Sequence, residues 1–403
     1  MKILQLCNKF PFPPADGGAV ATLGMTKSYA RTNHQVTVLA INTSKHYFDP
    51  EKLPDDIKSL ADFKSVYVNT DIKILPALLN LLFSGKPYNA IRFISKKFDQ
   101  LLVESLRKEN FDVVQLEGLY LCPYIKTIRK HSNALISYRA HNVEHEIWSR
   151  LLQRHDGWLK NLYVGLISRR IKRFEHSFLN KYDVLVPITR RDEEKLKSMG
   201  NRKPSFVCPM GIQFDDYKTC KIKPSANKIF HLGGLDWPPN QQGILWFIKN
   251  IWPALIQKNP SLIFYVGGRN APGRLVRQLN STPNLSYVGE VADAKTFMQD
   301  HGIMIVPLLS GSGMRIKILE GLALGKTIIS TPIGAEGIEV VDGIHIIIAE
   351  NESEFIEKTT DIIKNTKHQE ELGQNARTVI QSTYNAEVIT RNLIHFYEQN
   401  TGK

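Results

Sequence analysis

Along this chain, short runs of aliphatic and β-branched residues alternate with longer stretches in which apolar positions recur every three or four residues. The runs read as strands and the stretches as amphipathic helices. In the first half the pattern predicts strands at Ile3–Cys7, Gln35–Ile41, Val113–Leu116, Leu135–Ala140 and Val184–Ile188. In the second half it predicts them at Lys228–Leu232, Leu262–Val266, Leu285–Val288, Ile303–Val306, Thr327–Ser330 and His345–Ile348. Most of these runs are apolar throughout, as strands covered on both faces should be. Strands alternating with helices imply an α/β protein with parallel sheets and right-handed crossovers.

The rhythm breaks between Ser44 and Asn89, where Pro50, Pro54, Pro76 and Pro87 fall. This region reads as an insertion. Long helices are predicted across Val143–Asn180. The segment Val207–Lys223 has turn chemistry, and the strand pattern restarts at Lys228. A length of 403 residues suits two domains. The reading is therefore one domain over residues 1–206, a second over 207–384, and a terminal helix over 385–403. That helix, with Val388, Ile389, Leu393, Ile394 and Phe396, is expected to pack back across the domains.

Hydrophobic residues make up 42% and charged residues 23%, enough for two cores and a polar surface. Cys7, Cys122, Cys208 and Cys220 are scattered, which points away from a zinc site or a disulfide framework. The opening MKILQLCNKF is too short in its apolar run for a secretory leader. No stretch reaches the ~18–20 apolar residues of a membrane span. Ile74–Phe83 is the nearest, and Pro76 and Asn80 interrupt it. A cytoplasmic protein is expected.

A net charge of +13 attracts anions of several kinds. Part of it lies in two helical stretches, Ser95–Arg107 and Ser168–Lys181. The second holds Arg169, Arg170, Lys172 and Arg173. It reads equally as a solvated helix face or as a contact for an anionic membrane surface.

Three segments carry candidate chemistry. The first is the loop after strand one, Asn8 to Gly18, which ends in Asp16-Gly17-Gly18 and leads into a helix. Ligands of open parallel sheets bind outside the carboxyl ends of the strands, and a helix start offers free N–H groups to an anion. The loop lacks the GxGxxG spacing of dinucleotide oxidoreductases. The second is Tyr138-Arg139-Ala140-His141-Asn142-Val143-Glu144, at the end of a strand. His141 there either donates to a sugar or phosphate or stands beside a helix cap supplied by Asn142.

The third is Pro307 to Lys326, PLLSGSGMRIKILEGLALGK. A strand ends at Val306, a Gly/Ser loop follows, and a helix is predicted to begin near Met314. Backbone amides at its start suit a diphosphate. Arg315 and Lys317 would neutralise a leaving nucleoside diphosphate, and Glu320 would accept from ribose hydroxyls. The plainer alternative is a surface helix with ordinary ion pairs.

Ser310–Thr331 resembles the donor-binding segment of retaining glycosyltransferase family 4, which has the GT-B fold. Many members carry two glutamates separated by seven residues. Glu320 matches the second, and Ser312 stands where the first would be. The segment is closer to a sub-group reading Gly-Gly-Gly-Thr-Arg-Leu-Lys-(Ile/Val)-Leu-Glu. His231-Leu232-Gly233-Gly234-Leu235-Asp236-Trp237-Pro238-Pro239-Asn240 resembles that sub-group's opening of the second domain. The commoner Gly-Arg with a following lysine is missing, so Arg315 and Lys317 are expected to take its role. Val266-Gly267-Gly268 and Val288-Gly289-Glu290-Val291 resemble the strand ends that line the base pocket.

The resemblance implies two Rossmann-like domains with parallel sheets facing across a cleft. It implies sugar transfer from a nucleotide-diphosphate sugar with retention, without a metal or other cofactor. The donor would meet Gly17, Gly18, Gly233, Gly234, Gly268, Val291, Ser312, Gly313, Met314, Arg315, Lys317 and Glu320. His141, Arg315 and Lys317 would be catalytic. Glu117, Asn142 and Glu144 would meet a glycan or lipid-linked acceptor, and the Ser44–Asn89 insertion would lie near it. Bacterial surface polysaccharide synthesis fits this chemistry, with peripheral association at the inner face of the plasma membrane. Two alternatives are a sugar-nucleotide epimerase on the same fold and a basic nucleic-acid-binding protein. The second leaves Gly311–Glu320 unexplained, and no nucleic acid is expected as a partner.

Overall fold

The computed structural model describes residues 1–402 apart from 15, 153–157, 218–220, 222–226 and 312. The chain forms two compact units, Met1–Met210 with Ile389–Lys403, and Gly211–Val388.

The first unit is built on β1 (Lys2–Cys7), β2 (Gln35–Thr43), β3 (Asp62–Val68), β4 (Val113–Glu117), β5 (Leu135–Ala140) and β6 (Val184–Pro187). All pair in parallel in the order β3-β2-β1-β4-β5-β6. Apolar side chains on both faces feed two cores. One holds Leu4, Leu6, Val114, Leu116 and Ile136, and the other Ile3, Val36, Val38, Val113 and Val184. The terminal helix Ala386–Asn400 contributes Ile389, Leu393, Ile394 and Tyr397 to the second of these cores. Tyr397 Oη lies 2.8 Å from both Gln115 Oε1 and Ser137 Oγ, which fixes the chain end to this sheet.

The second unit repeats the plan with β7 (Lys228–Leu232), β8 (Ile263–Gly267), β9 (Leu285–Gly289), β10 (Ile303–Val306), β11 (Thr327–Ser330) and β12 (Ile347–Ile348). Its order is β12-β11-β10-β7-β8-β9, again all parallel. Renumbered within the unit, this is the same 3-2-1-4-5-6 order read in reverse. Both sheets therefore change direction between their first and fourth strands, β1/β4 and β7/β10. In sheets of this kind that switch point is where ligands bind.

One expectation is corrected. Ser44–Asn89 is not wholly an insertion, because it contains β3, which pairs with β2 from Thr37↔Asp62 to Thr43↔Val68. β3 is an edge strand with half-exposed residues. Its polar Asp62, Lys64 and Ser65 therefore hid the apolar run that marks the interior strands. The long helices occupy Glu144–Leu152 and Trp158–Phe178. Cys7, Cys122 and Cys208 are buried free thiols, and Cys220 lies outside the described residues.

Candidate functional site

In the second unit, the loops after β7 and β10 meet at the switch point. The helix after β10 runs over Ile316–Ala323 and starts two residues later than expected near Met314. Arg315 is its N-cap, in an extended conformation. Arg315 is buried, donates to the Gly313 carbonyl, and stacks its guanidinium 5.5 Å from the Trp237 ring centroid. Gly311 has φ +127°, and a Cβ there would stand 2.9 Å from both Arg315 Nη2 and Trp237. The loop thus closes tightly over this pair. Gly313 and Met314 are partly buried beside it, and Ser312 lies outside the described residues.

Lys317 reaches across to the β7 side. Its Nζ lies 3.3 Å from His231 Nε2 and 3.2 Å from Asn240 Oδ1. His231 is fully buried, and its Nδ1 lies 2.9 Å from the Ile305 carbonyl. Burial and the Lys317 charge push the imidazolium well below its usual range. A neutral ring that donates from Nδ1 leaves the Nε2 lone pair for Lys317. Burial, aided by Arg315, lowers the Lys317 ammonium to about 7. Burial also raises the Glu320 carboxyl to about 7, and no other described group contributes to that shift. Asn240 Nδ2 donates to the Gly234 carbonyl at 2.8 Å. A Cβ on Gly268 would sit 1.9 Å from the Gly233 carbonyl oxygen, so the two strand-end loops touch through backbone. Val291 packs on Gly267, where an added Cβ would stand 2.8 Å from its Cγ2. Lys326, at the end of the same motif, is buried away from this group and donates to the Gln299 and His301 carbonyls.

In the first unit, Asp16 caps the helix Gly17–Arg31 by accepting from Ala19 N at 3.0 Å, and it pairs with Lys9. Gly17 and Gly18 open that helix; a Cβ on Gly18 would stand 3.2 Å from Lys9 Nζ. His141 follows β5, with Nε2 2.5 Å from Glu117 Oε2. Glu117, expected to meet an acceptor, is placed against His141. It ends β4 with its side chain turned inward, and the residue is only 2% exposed. It accepts from Gln5 Nε2 at 2.8 Å, Arg139 Nη1 at 3.3 Å and Gln115 Nε2. Burial alone would raise this carboxyl, but Arg139 and then His141 outweigh it and hold it at about 2. Glu117 is therefore ionised, and it anchors His141.

Asn142 is half-buried in the bend before the helix Glu144–Leu152. Glu144 accepts from Tyr120 Oη at 3.1 Å. Burial and the nearby Glu175 raise its carboxyl to about 7. Sequence reasoning named the segment around His231 and Asn240 but not their hold on Lys317. A buried histidine in the last turnless positions of an apolar strand was the available signal. Among the described residues, no group of three or more His, Cys, Asp or Glu stands close enough to hold a metal ion.

Residues 226–365 match the sequence profile of the family described as "Glycosyl transferases group 1". A Klebsiella pneumoniae protein, described as an uncharacterized 44.6 kDa protein in the cps region, is 24% identical over 96% of this chain and 97% of its own length. The Anabaena HepE structure in complex with UDP superposes with TM-score 0.69 at 14% identity, covering 99% of this chain and 100% of that one. Sucrose-phosphate synthase from Thermosynechococcus elongatus gives TM-score 0.69 at 14% identity, over 99% of both chains. The chain has the GT-B fold of two Rossmann-like domains. The profile match across the second unit, taken with that fold, supports a glycosyltransferase.

Proposed function

We propose that the chain is a retaining, metal-independent glycosyltransferase of the family 4 sub-group with the Gly-rich Arg-x-Lys donor loop. It moves a sugar from a nucleoside diphosphate to a glycan or lipid-linked acceptor. The carrying observation is the convergence of Arg315, Lys317, His231 and Asn240 at the switch point of the second sheet, with a desolvated Glu320 on the same helix. The UDP in the HepE structure supports a nucleotide-sugar donor. The cps-region description of the Klebsiella relative supports surface polysaccharide synthesis.

In this reading Arg315 and Lys317 neutralise the departing diphosphate. Glu320 accepts from the ribose hydroxyls. Gly233, Gly234, Gly268 and Val291 let the nucleotide approach the strand ends. The first unit supplies His141 to orient the transferred sugar, and Asn142 and Glu144 to meet the acceptor. The leaving phosphate oxygen takes the acceptor proton, and attack comes on the face it vacates. The enzyme works in the cytoplasm, at the inner face of the plasma membrane. Proton NMR of the product formed in EDTA tests the chemistry. A retained anomeric configuration at undiminished rate is expected. Inversion, or loss of activity in EDTA, would overturn it.

A further inference from the structure

The first unit carries a surface that the donor chemistry does not use. The helix Ile74–Phe83 has no charged residue. Leu75, Leu79 and Phe83, spaced four apart and so on one face, are 66%, 49% and 82% exposed. Exposed Lys73 and Lys86 flank its two ends. The helix is held down beside this face: Asn80 is buried, and its carbonyl accepts from Arg170 Nη1 at 3.2 Å. That bond sets the apolar edge beside the helix Trp158–Phe178, whose Arg169, Lys172, Arg173 and His176 form one exposed stripe. The acid within that helix, Glu175, is buried against His145. Just beyond Phe83, Lys86, Arg173 and Lys181 rim a cavity of about 360 Å³ floored by Ile94, Phe174 and Phe178.

A row of exposed large apolar residues on a soluble fold marks an interaction site. Here its rim is cationic, which selects an apolar phase with an anionic border. At ten residues the helix is about 15 Å long, half the thickness of a bilayer's hydrocarbon core. It is therefore suited to lie in the interface rather than to cross it. No helix among the described residues is long and apolar enough to span a membrane.

We propose that Leu75, Leu79 and Phe83 insert into an anionic phospholipid bilayer while Arg169, Lys172, Arg173 and Lys86 bind its headgroup phosphates. This deepens the membrane placement proposed above and is independent of the donor chemistry. It is tested on the full chain without donor or acceptor, by sedimentation with vesicles of phosphatidylglycerol and phosphatidylcholine. The protein should sediment with these and stay in solution with phosphatidylcholine alone. The partition coefficient should fall about fivefold for each cation removed in R169Q/K172Q/R173Q. It should fall about tenfold or more in L75Q/L79Q/F83Q. The indole of a Phe83→Trp variant should shift to the blue on anionic vesicles and be quenched by brominated acyl chains. Circular dichroism confirms folding of each variant. Sedimentation that is absent, or unchanged in both triple variants, would overturn the proposal. So would an indole that stays in water, which is the result expected of a protein-docking surface. Turnover lost with vesicle binding intact would instead count against the donor reading alone.

Discussion

Lys317 Nζ lies 3.3 Å from His231 Nε2, and the two residues come from opposite sides of the switch point in the second sheet. The ring is kept neutral by burial and by the lysine itself, so it accepts rather than repels. The lysine is left near neutrality in its own titration, at about 7. An arriving diphosphate would supply the counter-charge that this ammonium lacks, and its binding should draw a proton onto the lysine.

Proton linkage checks that statement. Above neutrality free Lys317 has lost its proton and regains it on binding, so uptake is expected. Below neutrality free Glu320, raised to about 7, holds a proton that ribose contact would release. Calorimetry of a nucleotide sugar in buffers of different ionisation enthalpy should show release at about pH 6 and uptake at about pH 8. Lys317→Arg should abolish the uptake and keep the release. Uptake that persists in this variant would exclude Lys317 as its source.

His231→Ala removes one of the two acceptors that Lys317 reaches, leaving Asn240 Oδ1, and opens a buried cavity. The stability loss should be about 2 kcal/mol, from the lost hydrogen bond and packing. Nucleoside diphosphate affinity should fall with it, because the lysine is then aimed by Asn240 alone. Urea denaturation and equilibrium titration measure the two. Unchanged affinity would show that Asn240 aims Lys317 without His231.

Glu117 ties the acid stability of the first unit to His141. Its carboxyl is held at about 2, below its ordinary value. The folded state therefore resists a proton that the unfolded chain accepts. The stabilisation is complete above the ordinary carboxyl range and disappears as pH falls toward about 2; its size is roughly 3 kcal/mol. Glu117→Gln should remove that pH slope. It should also cost about 3–5 kcal/mol at neutral pH by leaving buried Arg139 without its counter-charge. Denaturation at neutral and acidic pH reads both effects. A wild-type slope retained in the variant would place the titrating group elsewhere.

Gly268→Ala places a methyl 1.9 Å from the Gly233 carbonyl oxygen, where backbone must move. A destabilisation of about 3 kcal/mol is expected, seen as a lower urea midpoint. Gly17→Ala meets no described atom within 4 Å and should leave stability within about 0.5 kcal/mol of wild type.

Much of the fold was legible because interior parallel strands are apolar on both faces. The strand readings Leu135–Ala140, Lys228–Leu232, Ile303–Val306 and Thr327–Ser330 coincide with β5, β7, β10 and β11. β3 escaped because an edge strand need bury only part of its surface, and Asp62 and Lys64 broke the run. The helix at Ile316 began late because Gly311 and Gly313 at positive φ carry the loop on to Arg315. The inward setting of Glu117 was hidden for a different reason. Alternation along β4 puts it on the same face as Gln115, and the in-register pairs Gln5↔Gln115 and Cys7↔Glu117 bring buried partners to both. Those partners lie more than a hundred residues away, as the Lys317–His231 contact spans 86. Local pattern specifies the elements, whereas contacts of that span depend on which strands become neighbours.

The proposed function rests on nucleoside diphosphate binding at the helix that opens at Ile316. It is tested most directly by thermal unfolding of wild type and Glu320→Ala across a panel of nucleoside diphosphates and nucleotide sugars. A ligand at 100 times its Kd adds about 2.7 kcal/mol to the native state. One base series should raise the wild-type Tm, and the variant should need at least about tenfold more ligand for the same rise. No shift with any nucleotide, or equal shifts in both proteins, would show that this helix does not hold the nucleotide through Glu320.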